Sequence, residues 1–185
     1  MIIAYIGDIG SGKTLSVVKQ LYTRYIKGYD IYTNFGLDFP EDKKHGTVTS
    51  LDKQFFSDYT KSEFNIIRSQ IAIDEAHVFF DSRNAMMKKN KIFSKFITQS
   101  RKRSVDLYYT TQDKSPYHFI QSGQVELRLR KLTDYIIFCE SHKIKGKTFI
   151  INNIYDRYGC LMNKNIYQGD KYFKLYDTNQ IIDFD

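Results

Sequence analysis

Cysteine is scarce in this 185-residue chain: Cys139 and Cys160 are the two present, too few for a disulfide framework. Neither they nor the four histidines, His45, His77, His118 and His142, stand at zinc-binding spacing. Proline is equally rare, and Pro40 and Pro116 both fall where loops are expected. No apolar stretch approaches the ~20 residues needed to cross a bilayer. The amino terminus runs straight into a strand-like segment, with no secretory leader visible. Repeats, linkers and low-complexity segments are missing too. These absences argue against a stapled secreted domain, a zinc module and a membrane-anchored chain, and the cytoplasm is the expected compartment.

What is present is ordinary for a globular protein, with 42% hydrophobic and 26% charged residues. The length suits one domain spanning 1–185 with a buried core. The most informative segment is Gly7-Asp8-Ile9-Gly10-Ser11-Gly12-Lys13-Thr14. It follows the apolar run Ile2-Ile3-Ala4-Tyr5-Ile6, which reads as a buried strand. It precedes Leu15, Val18, Tyr22 and Tyr25 at helical spacing. Strand, glycine loop and helix form the context that makes a phosphate-binding loop. Glycines let successive backbone N–H groups turn toward phosphate oxygens, and the helix amino end adds its dipole. Lys13 is expected on the β- and γ-phosphates of ATP, and the Thr14 hydroxyl on Mg²⁺. The plain alternative is a glycine turn with a chance Lys-Thr, and the preceding strand weighs against it.

A second segment, Gln70-Ile71-Ala72-Ile73-Asp74-Glu75-Ala76-His77, is a short apolar strand ending in two carboxylates. Asp74 is expected to hold the Mg²⁺ shell, and Glu75 to polarise the attacking water as general base. Adjacent acids also suit an ordinary helix amino end; the pairing with the glycine loop favours the catalytic reading. A third segment, Val105 to Gln112, reads as a strand ending in a polar residue. Parallel α/β sheets place ligands at the carboxyl ends of their strands, which would set Gln112 beside Glu75 and the γ-phosphate. A polar residue in a strand-to-loop turn is the alternative there.

These three segments, with the basic run Ser100-Arg101-Lys102-Arg103-Ser104 before the third strand, resemble the FtsK–HerA superfamily of DNA-pumping ATPases. The likeness is to its small branch, the single-domain genome-packaging ATPases of viruses and the zonula occludens toxin-like ATPases of filamentous phages. Ile31-Tyr32-Thr33-Asn34 and Phe173-Lys174-Leu175-Tyr176-Asp177-Thr178 fit that branch as well. The resemblance implies a RecA-like (ASCE) P-loop fold and Gln112 as the phosphate sensor. It also implies an arginine finger acting on a neighbouring subunit, with Arg101 and Arg103 favoured over Arg128 and Arg130. A homo-oligomeric ring, with a hexamer favoured, and a capsid or procapsid vertex as partner follow from it. So does a place in the host cytoplasm, with association to the virion.

Net charge is +7 and is unevenly spread. From Ser82 to Val105 there are eight basic residues and no acid. Ile92, Phe93, Phe96 and Ile97 form an apolar stripe among them, so the expected helix packs on one side and shows a cationic surface over Lys88–Arg103. Such a surface attracts double-stranded DNA through its phosphates; a solvated helix face is the competing reading. Lys143, Lys145 and Lys147 flank Gly146 and read first as a hairpin turn, second as a nucleic-acid contact. The 15 tyrosines could stack on bases or fill core edges with wet hydroxyls.

Strands are expected at about 2–6, 30–34, 70–74, 105–111 and 135–140, and helices at 13–27, 51–59, 89–102 and 115–122. Ser50 is the expected N-cap of the second helix. The alternation predicts a mainly parallel sheet with helices on both faces. Beyond Lys147 strands at 148–151 and 172–176 are expected, a small β extension over about 148–185. The function expected is an ATP-hydrolysing motor that moves duplex DNA, foremost a viral genome-packaging ATPase. The alternatives are a phage morphogenesis or secretion ATPase moving protein or filament, and a small nucleotide kinase.

Overall fold

Five consecutive buried residues, Ile2–Ile6, form β1 at the centre of an eight-stranded sheet. The computed structural model describes residues 1–51, 55, 58, 66, 68–79, 96–98, 100 and 105–177. The other strands are β2 (Asp30–Thr33), β3 (Val48–Ser50), β4 (Ser69–Ile73), β5 (Asp106–Thr111), β6 (Tyr135–Ile144), β7 (Lys147–Asp156) and β8 (Leu161–Gln168). Their order is β3-β2-β4-β5-β1-β6-β7-β8. Pairing is parallel from β3 through β6 and antiparallel across β6, β7 and β8. β4 and β5 are buried along nearly their whole length, as central parallel strands covered on both faces must be.

The two faces of β1 enter different cores. Ile2, Ala4 and Ile6 pack with Phe96, Ile97, Phe119 and Leu129. Ile3 and Tyr5 pack with Val17, Val18, Leu21 and Tyr25 of the helix α1 (Lys13–Tyr25). The first core is closed by helical backbone at 96–98 and 100, by α3 (Pro116–Ser122) and by α4 (Leu127–Leu132). A one-turn helix, α2 (Ala76–Phe79), follows β4. Helices therefore cover both faces, as the alternating pattern predicts.

Several expectations need correction. β3 is an additional strand, and Ser50 closes it: Thr49 and Ser50 pair with Tyr32 and Thr33, and Leu51 N–H donates to Thr33 O at 2.7 Å. Of the helix expected at 51–59, only Phe55 and Asp58 are described, both helical. Of the helix expected at 89–102, the segment before residue 96 lies outside the described residues. The sequence around Val125–Arg130 contains α4, capped by the Glu126 carboxylate accepting from Leu129 N–H. Strand β8 was not expected where it lies. Conversely, 172–176 is not a strand. The chain leaves β8 in two 3₁₀ turns, Gly169–Lys171 and Phe173–Leu175, and rejoins the body through a bridge between Leu37 and Tyr176. The aromatic spacing there serves packing against α1: Tyr172 and Leu175 belong to its core.

The β6–β7 hairpin turns at Lys145 and Gly146, both in left-handed backbone (φ 50° and 76°), the pattern of a tight two-residue turn. β1 ends opposite Phe138, yet β6 continues to Ile144. At ~3.3 Å per residue the hairpin runs about 20 Å past the end of β1, with β8 paired beside it as far as Phe149. It does so at the carboxyl end of the parallel strands, where the glycine loop lies. No helix among the described residues is long and apolar enough to cross a membrane.

Candidate functional site

The glycine loop connects β1 directly to α1. Gly12 is the N-cap, with φ 88°, and a Cβ added there would lie 2.6 Å from Ile150 Cδ1. The left-handed backbone favours glycine here, and a Cβ would also push the Ile150 side chain aside. No side chain caps this helix end and its first turn carries no acid, so its positive dipole end is left unneutralised. The Lys13 ammonium is buried and donates to the carbonyl oxygens of Gly7 (3.1 Å) and Asp8 (2.9 Å). Ser11 Oγ is buried without a hydrogen-bond partner among the described residues.

Asp74 stands just past the end of β4, 8% exposed. Its carboxylate accepts from Thr14 Oγ1 (2.9 and 3.2 Å) and from Thr110 Oγ1 (2.6 Å). Burial raises its pKa above the usual carboxylate value; the Thr110 and Thr14 hydroxyls pull it back, the Glu75 charge raises it and Lys13 lowers it. Its backbone is fixed from β2: Asp74 N–H donates to Asn34 Oδ1 (2.7 Å), and Asn34 Nδ2 donates to Asp74 O (3.0 Å). The Asn34 amide thus extends the β2–β4 ladder beyond Thr33.

Glu75 adopts a left-handed backbone, φ 50°, a conformation uncommon for a residue with a Cβ. Its N–H donates to Thr110 Oγ1 at 2.9 Å. Its carboxylate accepts from Gln112 Nε2 at 3.1 Å. The His77 ring approaches the same oxygen, with Nδ1 at 3.2 Å but out of hydrogen-bond alignment. Gln112 is itself held: Gln124 Nε2 donates to its carbonyl (3.2 Å). Next to it the buried Asp113 accepts from Thr111, Gln124 N–H and the His118 ring.

The sheet order explains this convergence. β5 lies between β1 and β4, so Thr110 and Gln112 stand between the glycine loop and the paired acids. Lys13, Thr14, Asp74, Glu75 and Gln112 come together as expected. Asn34 and Thr110 were not singled out as site residues by their sequence, because both act through partners 35 or more positions away. Arg101 and Arg103, and the basic run from Lys88, lie outside the described residues. Arg128 is exposed, whereas Arg130 donates to the carbonyls of Val125, Phe119 and Ile120 and joins α3 to α4.

A cavity of about 390 Å³ opens beside the loop. Its wall includes Lys13, Thr14, Glu75 and Gln112, together with Leu15, Ile150, Thr148 and Phe173. The donor set suits a magnesium ion: a threonine hydroxyl and a carboxylate are hard oxygen ligands, already side by side. The orphaned Ser11 hydroxyl in the glycine loop suits a phosphate oxygen. Among the described residues no cluster of three or more His, Cys, Asp or Glu side chains forms an all-protein metal cage.

Comparison with known proteins places this architecture. In structure the chain resembles the N-terminal domain of zonular occludens toxin from Neisseria meningitidis, with TM-score 0.60 and 19% identity over 95% of this chain and 98% of the other. It resembles B204, the DNA-packaging ATPase of Sulfolobus turreted icosahedral virus, with TM-score 0.54 and 16% identity over 90% and 96%. The ATPase domain of G40P gives TM-score 0.56 and 12% identity over 95% and 83%. At these identities the likeness establishes the fold alone, the RecA-like P-loop fold. No curated protein sequence matches the chain. The sequence profile described as zonular occludens toxin (Zot) matches residues 1–134, most of the chain, which therefore belongs to the Zot family.

Proposed function

We propose that the chain is a magnesium-dependent ATPase whose hydrolysis drives movement of double-stranded DNA during virus assembly. The observation carrying the catalytic part is the convergence of Thr14, Asp74, Thr110, Glu75 and Gln112 at one end of the sheet. In this reading the loop from Gly7 through Asp8, Ile9, Gly10, Ser11 and Gly12 wraps the phosphates. Lys13 leaves its two carbonyl partners for the β- and γ-phosphates. Thr14 and Asp74 would hold Mg²⁺, which would neutralise charge on the phosphate oxygens. Glu75 takes a proton from a water whose oxygen bonds to the γ-phosphorus, while the bond to the β,γ-bridging oxygen breaks and ADP departs. Gln112 orients that water and senses loss of the γ-phosphate. Arg101 or Arg103 completes a neighbour's site in a homo-oligomeric ring.

The DNA cargo is supported by the net charge of +7, by the basic window before β5, and by the likeness to a DNA-packaging ATPase. A second reading, a morphogenesis or secretion motor moving protein or filament, is favoured by membership of the Zot family. The deciding experiment is ATPase activity of the purified chain with and without duplex DNA at low salt. Stimulation by duplex supports the first reading; robust hydrolysis indifferent to duplex transfers support to the second. Glu75→Gln is expected to lower kcat about 10²–10⁴-fold with little change in MgATP affinity. Retained hydrolysis in that variant would remove Glu75 as the base and reopen the kinase alternative.

A further inference from the structure

The segment 168–177 is a strap that leaves β8, crosses α1 and ends at the loop after β2. Its fastenings are explicit. Thr148 N–H donates to the Asp170 carboxylate at 3.2 and 3.3 Å, and Gln168 Nε2 donates to it at 2.9 Å. Asp38 N–H donates to Leu175 O at 2.8 Å, beside the Leu37–Tyr176 bridge. At Gly169 the strap meets α1 so closely that an added Cβ would lie 2.9 Å from Leu15 Cδ2. The strap thereby stands against the helix turn that follows Thr14.

The cavity beside the glycine loop has two chemically distinct parts. Lys13, Thr14, Glu75 and Gln112 bring charge and hydrogen bonds. Phe173 and Ile9 bring exposed apolar surface, and the buried Leu15 and Ile150 lie in the wall. A nucleoside triphosphate has the same two halves, a polyanion and a flat aromatic base. Phe173 is 40% exposed, a large apolar ring turned out of the core at the edge of this cavity. An aromatic ring in that position offers a stacking face to a base, a sequence-tolerant interaction.

We infer that the strap forms the nucleobase subsite, with Phe173 stacking on the base of the bound nucleoside triphosphate. This rests on the reading that Gly7–Thr14 holds the phosphates. The subsite adds affinity for the nucleoside and none for the phosphate chain.

The test compares MgATP with inorganic tripolyphosphate, by calorimetry, on the full chain. Phe173→Ala is expected to weaken MgATP roughly 5- to 100-fold while leaving tripolyphosphate within about twofold. Phe173→Tyr restores MgATP binding. Lys13→Ala weakens both ligands. Because the chain contains no tryptophan, Phe173→Trp supplies a single reporter at the strap. Its fluorescence is expected to change with MgATP and to stay constant with tripolyphosphate. If Phe173→Ala weakens both ligands alike, or neither, while Lys13→Ala weakens both, the strap has no base subsite and the phosphate loop stands. If Lys13→Ala changes neither, the phosphate-loop reading fails and the subsite goes with it.

Discussion

Asp74 shows what the site costs the fold. Its carboxylate is buried, so its ionised form is disfavoured and its pKa lies above the usual value. The sign of the linkage follows. A carboxyl whose folded pKa is raised binds its proton more tightly when folded, so its charge destabilises the chain above that pKa and the penalty is relieved as pH falls through it. Asp74→Asn keeps an acceptor for Thr14 and Thr110 and removes the charge. It is expected to raise Tm of the nucleotide-free chain by roughly 2–4 °C at neutral pH, with the gap over the parent narrowing on acidification. MgATP should no longer stabilise it. Thermal melts across pH, with and without MgATP, check both halves. A variant less stable than the parent at neutral pH would contradict the argument. Residues of this kind were legible early because their letters are local: Lys13, Thr14, Asp74 and Glu75 sit in contiguous segments. Asn34 and Thr110 were not, since their contacts depend on strand pairing.

At the level of elements, the sheet was legible wherever apolar runs were continuous. β1, β2, β4, β5 and the start of β6 lie where the pattern puts them. β3 and β8 escaped because exposed strands carry little apolar signal: Val48–Ser50 is exposed throughout and β8 nearly so. The 172–176 segment misled for the opposite reason: its apolar residues suit a strand, but the chain there turns in a 3₁₀ helix with Tyr172, Leu175 and Tyr176 on the α1 core. Helix α4 hides in Leu127-Arg128-Leu129-Arg130, whose alternation imitates a strand. Arg130 illustrates how an element can settle a residue's role. Its guanidinium satisfies carbonyls of Val125, Phe119 and Ile120, joining α3 to α4. Arg130→Ala is expected to cost about 1–3 kcal/mol of stability, with kcat per folded molecule unchanged. Denaturant titration and steady-state kinetics separate these. A large loss of kcat with stability intact would instead mark a catalytic arginine.

For the whole molecule, the net charge of +7 and the basic window before β5 set the test of cargo. Duplex binding through the window from Lys88 to Arg103 is expected to weaken with salt, with a log–log slope of about −0.9 for each phosphate neutralised. Replacing Lys88, Lys89 and Lys91 by Gln should reduce the slope by about 0.9 per contacting lysine. Replacing Lys143, Lys145 and Lys147 should leave it nearly unchanged, the outcome for a solvated hairpin turn. Fluorescence anisotropy over a salt series measures both, and the reverse pattern would move the DNA surface to the hairpin. Either result bears on a matter of shape. The β6–β7 ribbon runs about 20 Å past the end of β1 and flanks the phosphate loop from Phe138 to His142, with its tip at Lys145 and Gly146 beyond. A broad, flat macromolecule lowered along the ribbon would meet its lysine-rich tip, Lys143 to Lys147, ahead of the loop. A partner that completes the site has that cationic tip as its first landmark.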